Sequence, residues 1–169
     1  IIEKMVGEKS KHFDYCAAEQ GDEVLKVEQL TLPRENGGYC LNDVSFSLRK
    51  GEVIGIYGLL GAGRTELCLS LFGMTRPDSG EIRIEGQAVQ LHNNREAVRH
   101  GIGYVSEDRL TQGLIMEQSI YDNTIVTVFD RLHTSLGLLD HAKATELVNR
   151  LIRDLNIKVS DSALPVKTL

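Results

Sequence analysis

Hydrophobic order begins some twenty residues into this chain. Residues 1 to 22 are polar, mixed in charge and without a sustained period, the pattern of a tail or interdomain linker. Val24 to Leu32 alternates as a strand, and Leu41 to Leu48 does so more clearly, with Val44, Phe46 and Leu48 on one face and Ser45 and Ser47 on the other. Arg49-Lys50-Gly51-Glu52 makes a polar turn. Val53-Ile54-Gly55-Ile56-Tyr57 is almost wholly apolar, which predicts a strand covered on both faces in a parallel sheet. A glycine-rich run leads into a helix from about Arg64 to Phe72, with Gly73 as its C′ residue. Beyond the Pro77-Asp78-Ser79-Gly80 break, Glu81 to Glu85 alternates as a half-exposed strand that Gly86 turns toward a partner near Val89. Asn93 or Asn94 caps a short helix ending at Gly101, and Ile102 to Val105 predicts a short buried strand feeding Ser106-Glu107-Asp108-Arg109 into a loop. After Gly113 the character turns helical. Ser119-Ile120-Tyr121-Asp122 has capping-box form, and from Asp140 the residues Leu147, Val148, Leu151, Ile152 and Leu155 share one helical stripe.

Composition narrows the class. Of 169 residues, 41% are hydrophobic and 25% charged, the balance of a globular chain long enough to bury a core. A net charge of −5, five Tyr, four Phe and no Trp argue against a nucleic-acid surface, which needs a basic face or a stacking platform. Cys16, Cys40 and Cys68 are odd in number and lack C-x-x-C spacing, as expected of free thiols in a reducing compartment. The uncharged stretch from Val53 to Gly63 is too short to span a bilayer, and charges at Glu3, Lys4, Glu8 and Lys9 interrupt any leader. The chain starts at Ile1 rather than Met, so a piece of something longer is expected. His12, His92, His100, His133 and His141 show no ligand spacing.

The chemistry concentrates in GIYGLLGAGRTEL, Gly55 to Leu67. Gly58, Gly61 and Gly63 stand where a phosphate loop of form G-x-x-x-x-G-K-[ST] needs backbone freedom, and Thr65 holds its magnesium position. Glycines let successive N–H groups turn around phosphate oxygens, and the helix starting at Arg64 and Thr65 puts its positive dipole end beneath them. The predicted nucleotide-binding set is Gly58, Leu59, Leu60, Gly61, Ala62, Gly63, Arg64, Thr65 and Glu66. Arg64 replaces the lysine of the pattern: the positive charge remains, spread over a planar fork instead of a compact ammonium. A ligand-free glycine turn is the plainer alternative. A dinucleotide fingerprint fails, because Glu66 stands where its third glycine belongs.

Four segments together resemble the ABC-type ATPases: LNDVSFSLRKGEVIGIYGLLGAGRTEL (41–67), SGEIRIEGQAV (79–89), GIGYVSEDRLTQGL (101–114) and SIYDNT (119–124). They are similar to the second, degenerate ATPase half of the fused ATP-binding subunits of bacterial sugar importers of the ribose, xylose and galactose class. MVGEKS (5–10) resembles the end of the first half, just before the linker.

The resemblance implies an α/β fold, a P-loop NTPase core with an antiparallel β subdomain and a truncated helical subdomain. It would divide the chain into a linker at 1–22, an incomplete β subdomain and P-loop core at 23–112, and part of a helical subdomain at 113–169. ATP or ADP with Mg²⁺ would be the cofactors, with Thr65 and Glu107 at the metal. Glu107 takes the Q-loop glutamine position, where a carboxylate repels a γ-phosphate unless magnesium intervenes.

The implied partners are the first ATPase half or a second subunit, and the membrane permease at the cytoplasmic face of the bacterial cell membrane, with no nucleic acid. The apolar residues Ile115 and Met116, near Glu107, would form part of a groove for the permease's coupling helix. The family's adenine-stacking aromatic would fall near Pro33, with Tyr39 as a stand-in. The signature, Walker B and switch-histidine elements would lie beyond Leu169. IVTVFD (125–130) imitates a Walker B strand, but Arg131 replaces the second acid. Catalytic residues are therefore expected to be none, and the chain alone inactive. The rival readings are a scaffold half that binds no nucleotide, and a P-loop kinase or GTPase, which would need the lysine and an N-K-x-D element that this chain lacks.

Overall fold

A computed structural model describes residues 21–34 and 36–168, so the expected linker at 1–22 and the MVGEKS segment lie wholly or almost wholly outside the described residues. The chain divides between Tyr104 and Val105 into two compact units.

The first unit is built on a four-stranded antiparallel sheet. Strands β1 (Glu23–Pro33), β2 (Tyr39–Arg49), β3 (Ser79–Ile84) and β4 (Gln87–Val89) are arranged in the order β2-β1-β3-β4. β1 is central, pairing Val27 with Phe46 on one side and with Ile82 on the other. A strict two-residue alternation cannot bury both Val27 and Leu30, yet both are buried. The register shifts between them, with Gln29 at φ 52°, and this bulge restores Leu30 and Leu32 to the core face. The Ser45 hydroxyl accepts from the Gln29 N–H at 2.8 Å, satisfying the amide that the bulge takes out of the ladder. Gly80, at φ 104°, passes so close that a Cβ there would lie 2.6 Å from the Leu30 Cα.

Helix α1 (Arg64–Leu71) packs against β2 and buries Leu67 and Ser70, whose hydroxyl donates to the Glu66 carbonyl at 2.8 Å. Gly73 follows it at φ 72°, and Met74 N–H returns to the Leu69 carbonyl at 2.9 Å, the left-handed helix end that the sequence predicts. Helix α2 (Asn94–Arg99) starts at Asn93, whose side chain accepts from Glu96 N–H at 3.0 Å. Val27, Leu30, Leu32, Leu41, Leu67, Ile82, Leu91 and Ala97 form the core.

Two expected strands are corrected here. Val53–Tyr57 forms no ladder, and Val53 and Tyr57 are 82% and 94% exposed. Ile102–Val105 is likewise irregular, its Ile102 packed on the core and its Val105 exposed. A parallel strand exists only through its neighbours' hydrogen bonds, and the described residues contribute only antiparallel pairs.

The second unit is helical. A single π turn (Arg109–Gly113) precedes α3 (Ile120–Val126) and α4 (His141–Asp154). Ser119 caps α3 by accepting from Asp122 N–H at 2.9 Å, as its capping-box spacing predicts. Asp140 caps α4 through Lys143 N–H at 3.0 Å. Ile125, Leu132, Ala144 and Val148 form the core, with Leu147 and Ile152 packed against it. Leu155 is the exception on the predicted stripe: it falls just past the helix and is exposed. IVTVFD runs from α3 into a 3₁₀ turn (Phe129–Arg131), which removes it as a Walker B strand.

Candidate nucleotide site

The loop from Gly58 to Thr65 folds back on itself before entering α1. A Cβ at Gly58 would lie 2.8 Å from the Ala62 Cβ, so the loop closes only around a residue without a side chain there. Ala62 N–H returns to the Leu59 carbonyl at 3.1 Å, and Leu67 N–H makes the first helical bond to Gly63 at 2.9 Å. Gly63 is buried, left-handed at φ 85°, and seated so that an added Cβ would overlap the Cys40 carbonyl oxygen. The start of α1 has no side-chain cap, and among the described residues no acceptor pairs with the amides of Gly61, Gly63, Arg64, Thr65 or Glu66. Successive unpaired amides at a helix start form an anion cradle.

Arg64 and Thr65 are exposed at this start, and Glu66 adds an acid in the first turn. Leu59 and Leu60 are exposed at 86% and 100%, so the loop's outer rim is apolar and open. The residues fit a phosphate group. The Thr65 hydroxyl could supply one ligand to a magnesium ion, whose remaining ligands would be phosphate oxygens and water. Among the described residues no cluster of three or more His, Cys, Asp or Glu side chains is placed to hold a metal without them. A cleft of about 390 Å³ elsewhere in the first unit, lined by Leu30, Ser70, Arg76, Asp78, Glu81 and His92 among others, includes no loop residue.

Glu107 belongs to the second unit, whereas Arg64 and Thr65 belong to the first. It is exposed at a bend, between two tied residues. The Ser106 hydroxyl donates to Gln112 Oε1 at 2.9 Å. The Asp108 carboxylate caps the π turn, accepting from the Thr111 hydroxyl and from the Thr111 N–H at 3.2 Å. These bonds, the hydroxyl first, hold the Asp108 carboxyl below the ordinary aspartate value of 3.8. A depressed carboxylate stabilises the folded turn at neutral pH and loses that contribution as pH falls through its folded value. The Thr111 amide resonance is therefore expected to titrate with a midpoint below 3.8; a midpoint above that value contradicts the cap.

Tyr39 opens β2 opposite Pro33 and is 55% exposed. Sequence reasoning missed its neighbour across the hairpin, Arg34. The Arg34 guanidinium donates from Nη2 to the Gly61 carbonyl at 2.8 Å, tying the β1–β2 turn to the phosphate loop. No periodicity or spacing in the sequence signals this link.

A glycine loop entering an uncapped helix beside an antiparallel sheet defines a P-loop nucleotide-binding cassette. Solved ATP-binding cassettes share the fold. One, in a post-hydrolysis state with ADP and Pi, gives a TM-score of 0.69 at 16% identity, covering 86% of this chain and 62% of that one. Another, cbiO1 of Clostridium perfringens, from a transporter complex, gives 0.66 at 22% identity over 88% of this chain and 56% of that one.

The ABC transporter family profile matches residues 41–164, and the chain belongs to this family. Among its curated relatives are ribose import ATP-binding proteins. That of Geobacillus kaustophilus is 40% identical over 100% of this chain and 33% of its own length. That of Bacillus subtilis is 37% identical over 95% of this chain and 31% of its own length. The chain thus spans about a third of the relatives it matches. ATPases of this family bind ATP and ADP, typically with Mg²⁺. Among the described residues no helix is long and apolar enough to cross a membrane.

Proposed function

We propose that this chain is the nucleotide-binding part of the second, degenerate ATPase half of a sugar-importer subunit, and that it retains nucleotide without turning it over. The carrying observation is the cradle of unpaired amides at Gly61 and from Gly63 to Glu66, behind a glycine turn that admits no side chain at Gly58. The amides and helix dipole hold phosphate oxygens whatever side chain stands at 64, and Arg64 adds its own charge to them. Thr65 would hold the magnesium ion, which neutralises phosphate charge when bound, and Glu107 takes the Q-loop position.

Chemistry is less forgiving than binding. A transferring phosphoryl group needs charge placed to well under an ångström, and a guanidinium fork does not reproduce a lysine's point charge. The one Walker B imitation in the sequence runs from helix into a 3₁₀ turn, so among the described residues it supplies no strand-end carboxylate pair to orient water. The whole subunit would pair this half with a first ATPase half, or with a second subunit, and work with membrane permeases on the cytoplasmic side of the membrane. In support, the relatives are import ATP-binding proteins. Ile115, 55% exposed beside the Asn123 side chain that brackets its backbone at 2.8 and 3.0 Å, would take part in the permease contact, with Met116 next to it.

Phosphate release by the 169-residue chain should stay at background with ATP and Mg²⁺, while ADP binding by calorimetry persists and weakens in Thr65→Ala when magnesium is present. Magnesium-dependent turnover abolished by Thr65→Ala would overturn the reading in favour of an active phosphotransferase. Absence of any ADP binding would leave the scaffold half.

A further inference from the structure

We propose that Arg34 is a positioning residue for the nucleotide: it fixes the Gly61–Ala62 peptide and so sets the direction of the amides that follow. The inference rests on reading Gly58 to Thr65 as a phosphate loop. A trans peptide points its C=O and N–H in opposite directions, and no cis bond occurs among the described residues. Both ends of this peptide are engaged. The Gly61 carbonyl accepts from Arg34 Nη2 at 2.8 Å, and the Ala62 N–H donates to the Leu59 carbonyl at 3.1 Å.

The peptide needs such a clamp. Gly61 sits at φ 76° with open space where a Cβ would stand, so no side chain of its own limits its rotation. A flip would exchange the two ends and set the Gly61 carbonyl against the Leu59 carbonyl, breaking the turn from which the next amides follow. Arg34 can resist that flip because its own backbone is held. Its N–H donates to the Gly38 carbonyl at 3.0 Å, and its carbonyl accepts from Gly37 N–H at 3.1 Å. The guanidinium therefore reaches the loop from a backbone bonded on both sides at Arg34, across 27 residues of sequence.

Two measurements on the full-length chain test this. The first is amide hydrogen exchange without ligand. Arg34→Ala should speed exchange at Ala62 about three- to tenfold, the range for losing an exposed charge-assisted bond, while Leu67 and Val27 keep their protection. The second is ADP affinity by calorimetry. Arg34→Ala should weaken it about three- to tenfold, and Arg34→Lys should recover most of the loss, since one carbonyl needs only one charged donor.

Unchanged exchange at Ala62 overturns the proposal, as does faster exchange with unchanged ADP affinity. Failure of Arg34→Lys to rescue also overturns it, because the guanidinium would then act on the nucleotide rather than through the peptide. If the wild-type chain binds no ADP, the phosphate-loop reading falls instead, and exchange at Ala62 still decides whether Arg34 holds the peptide.

Discussion

Gly63→Ala is expected to destabilise the first unit by about 2–5 kcal/mol and to abolish nucleotide binding, whereas Gly61→Ala, two residues away, should cost only about 1–2 kcal/mol. Both glycines are left-handed, at φ 85° and 76°, so both substitutions carry the strain of an L-residue in that region. They differ in surroundings. A Cβ at Gly61 meets nothing within 4 Å, while one at Gly63 overlaps the Cys40 carbonyl and approaches the Leu41 Cδ2 to 3.1 Å. Cys40 and Leu41 belong to β2, and Leu41 is part of the core, so neither can yield without disturbing the sheet. The helix start would move instead, and with it the amides of Arg64, Thr65 and Glu66. Urea unfolding of the two variants checks the ratio. Equal losses would mean that the contact with Cys40 relaxes freely and that only the backbone conformation matters.

Local chemistry was legible in this sequence, and pairing was not. Caps at Asn93 and Ser119 and the left-handed end at Gly73 each depend on residues within four positions, and the structure places each as the local sequence dictates. The strands at Val24–Leu32, Leu41–Leu48 and Glu81–Glu85 were legible from alternation, whereas their antiparallel pairing was implied by the family resemblance. The bulge at Gln29 was not visible, since it serves a three-residue spacing between Val27 and Leu30 that alternation alone reads as noise. Val53–Tyr57 failed for a different reason. Its apolar run states that it prefers burial, but burial in a sheet is a property of neighbours, and none of the described strands pairs with it. Gly63 was read from the sequence as a glycine for phosphate approach. The structure shows that the Cys40 carbonyl requires the same residue, so packing by itself demands a glycine there. Arg34 carried no signal because its partner is a backbone carbonyl, which leaves no trace in residue type.

Restoring Lys at 64 together with Gln at 107 is expected to shift the preference of this site from diphosphate toward triphosphate by at least about fivefold. The two substitutions act on different charges. Arg64 extends from the start of α1, with its stem 3.7 Å from where a Gly58 Cβ would stand, so a lysine there would bring a compact ammonium to the same cradle. Glu107 is an exposed carboxylate held at its bend by Ser106 and the capped π turn. If Glu107 takes the Q-loop position, as proposed, its carboxylate would oppose the extra charge of a triphosphate. That repulsion is worth on the order of 1–4 kcal/mol at about 4 Å, depending on screening, and a diphosphate does not meet it. The native pair should therefore favour the diphosphate, and the effect should shrink as salt rises. Affinities of ATP and ADP for the wild-type and doubly substituted intact subunit, with the partner half's site blocked, provide the comparison. If the ratio stays unchanged, Arg64 and Glu107 do not set the behaviour of the site, and its discrimination comes from groups that the partner half brings to the nucleotide.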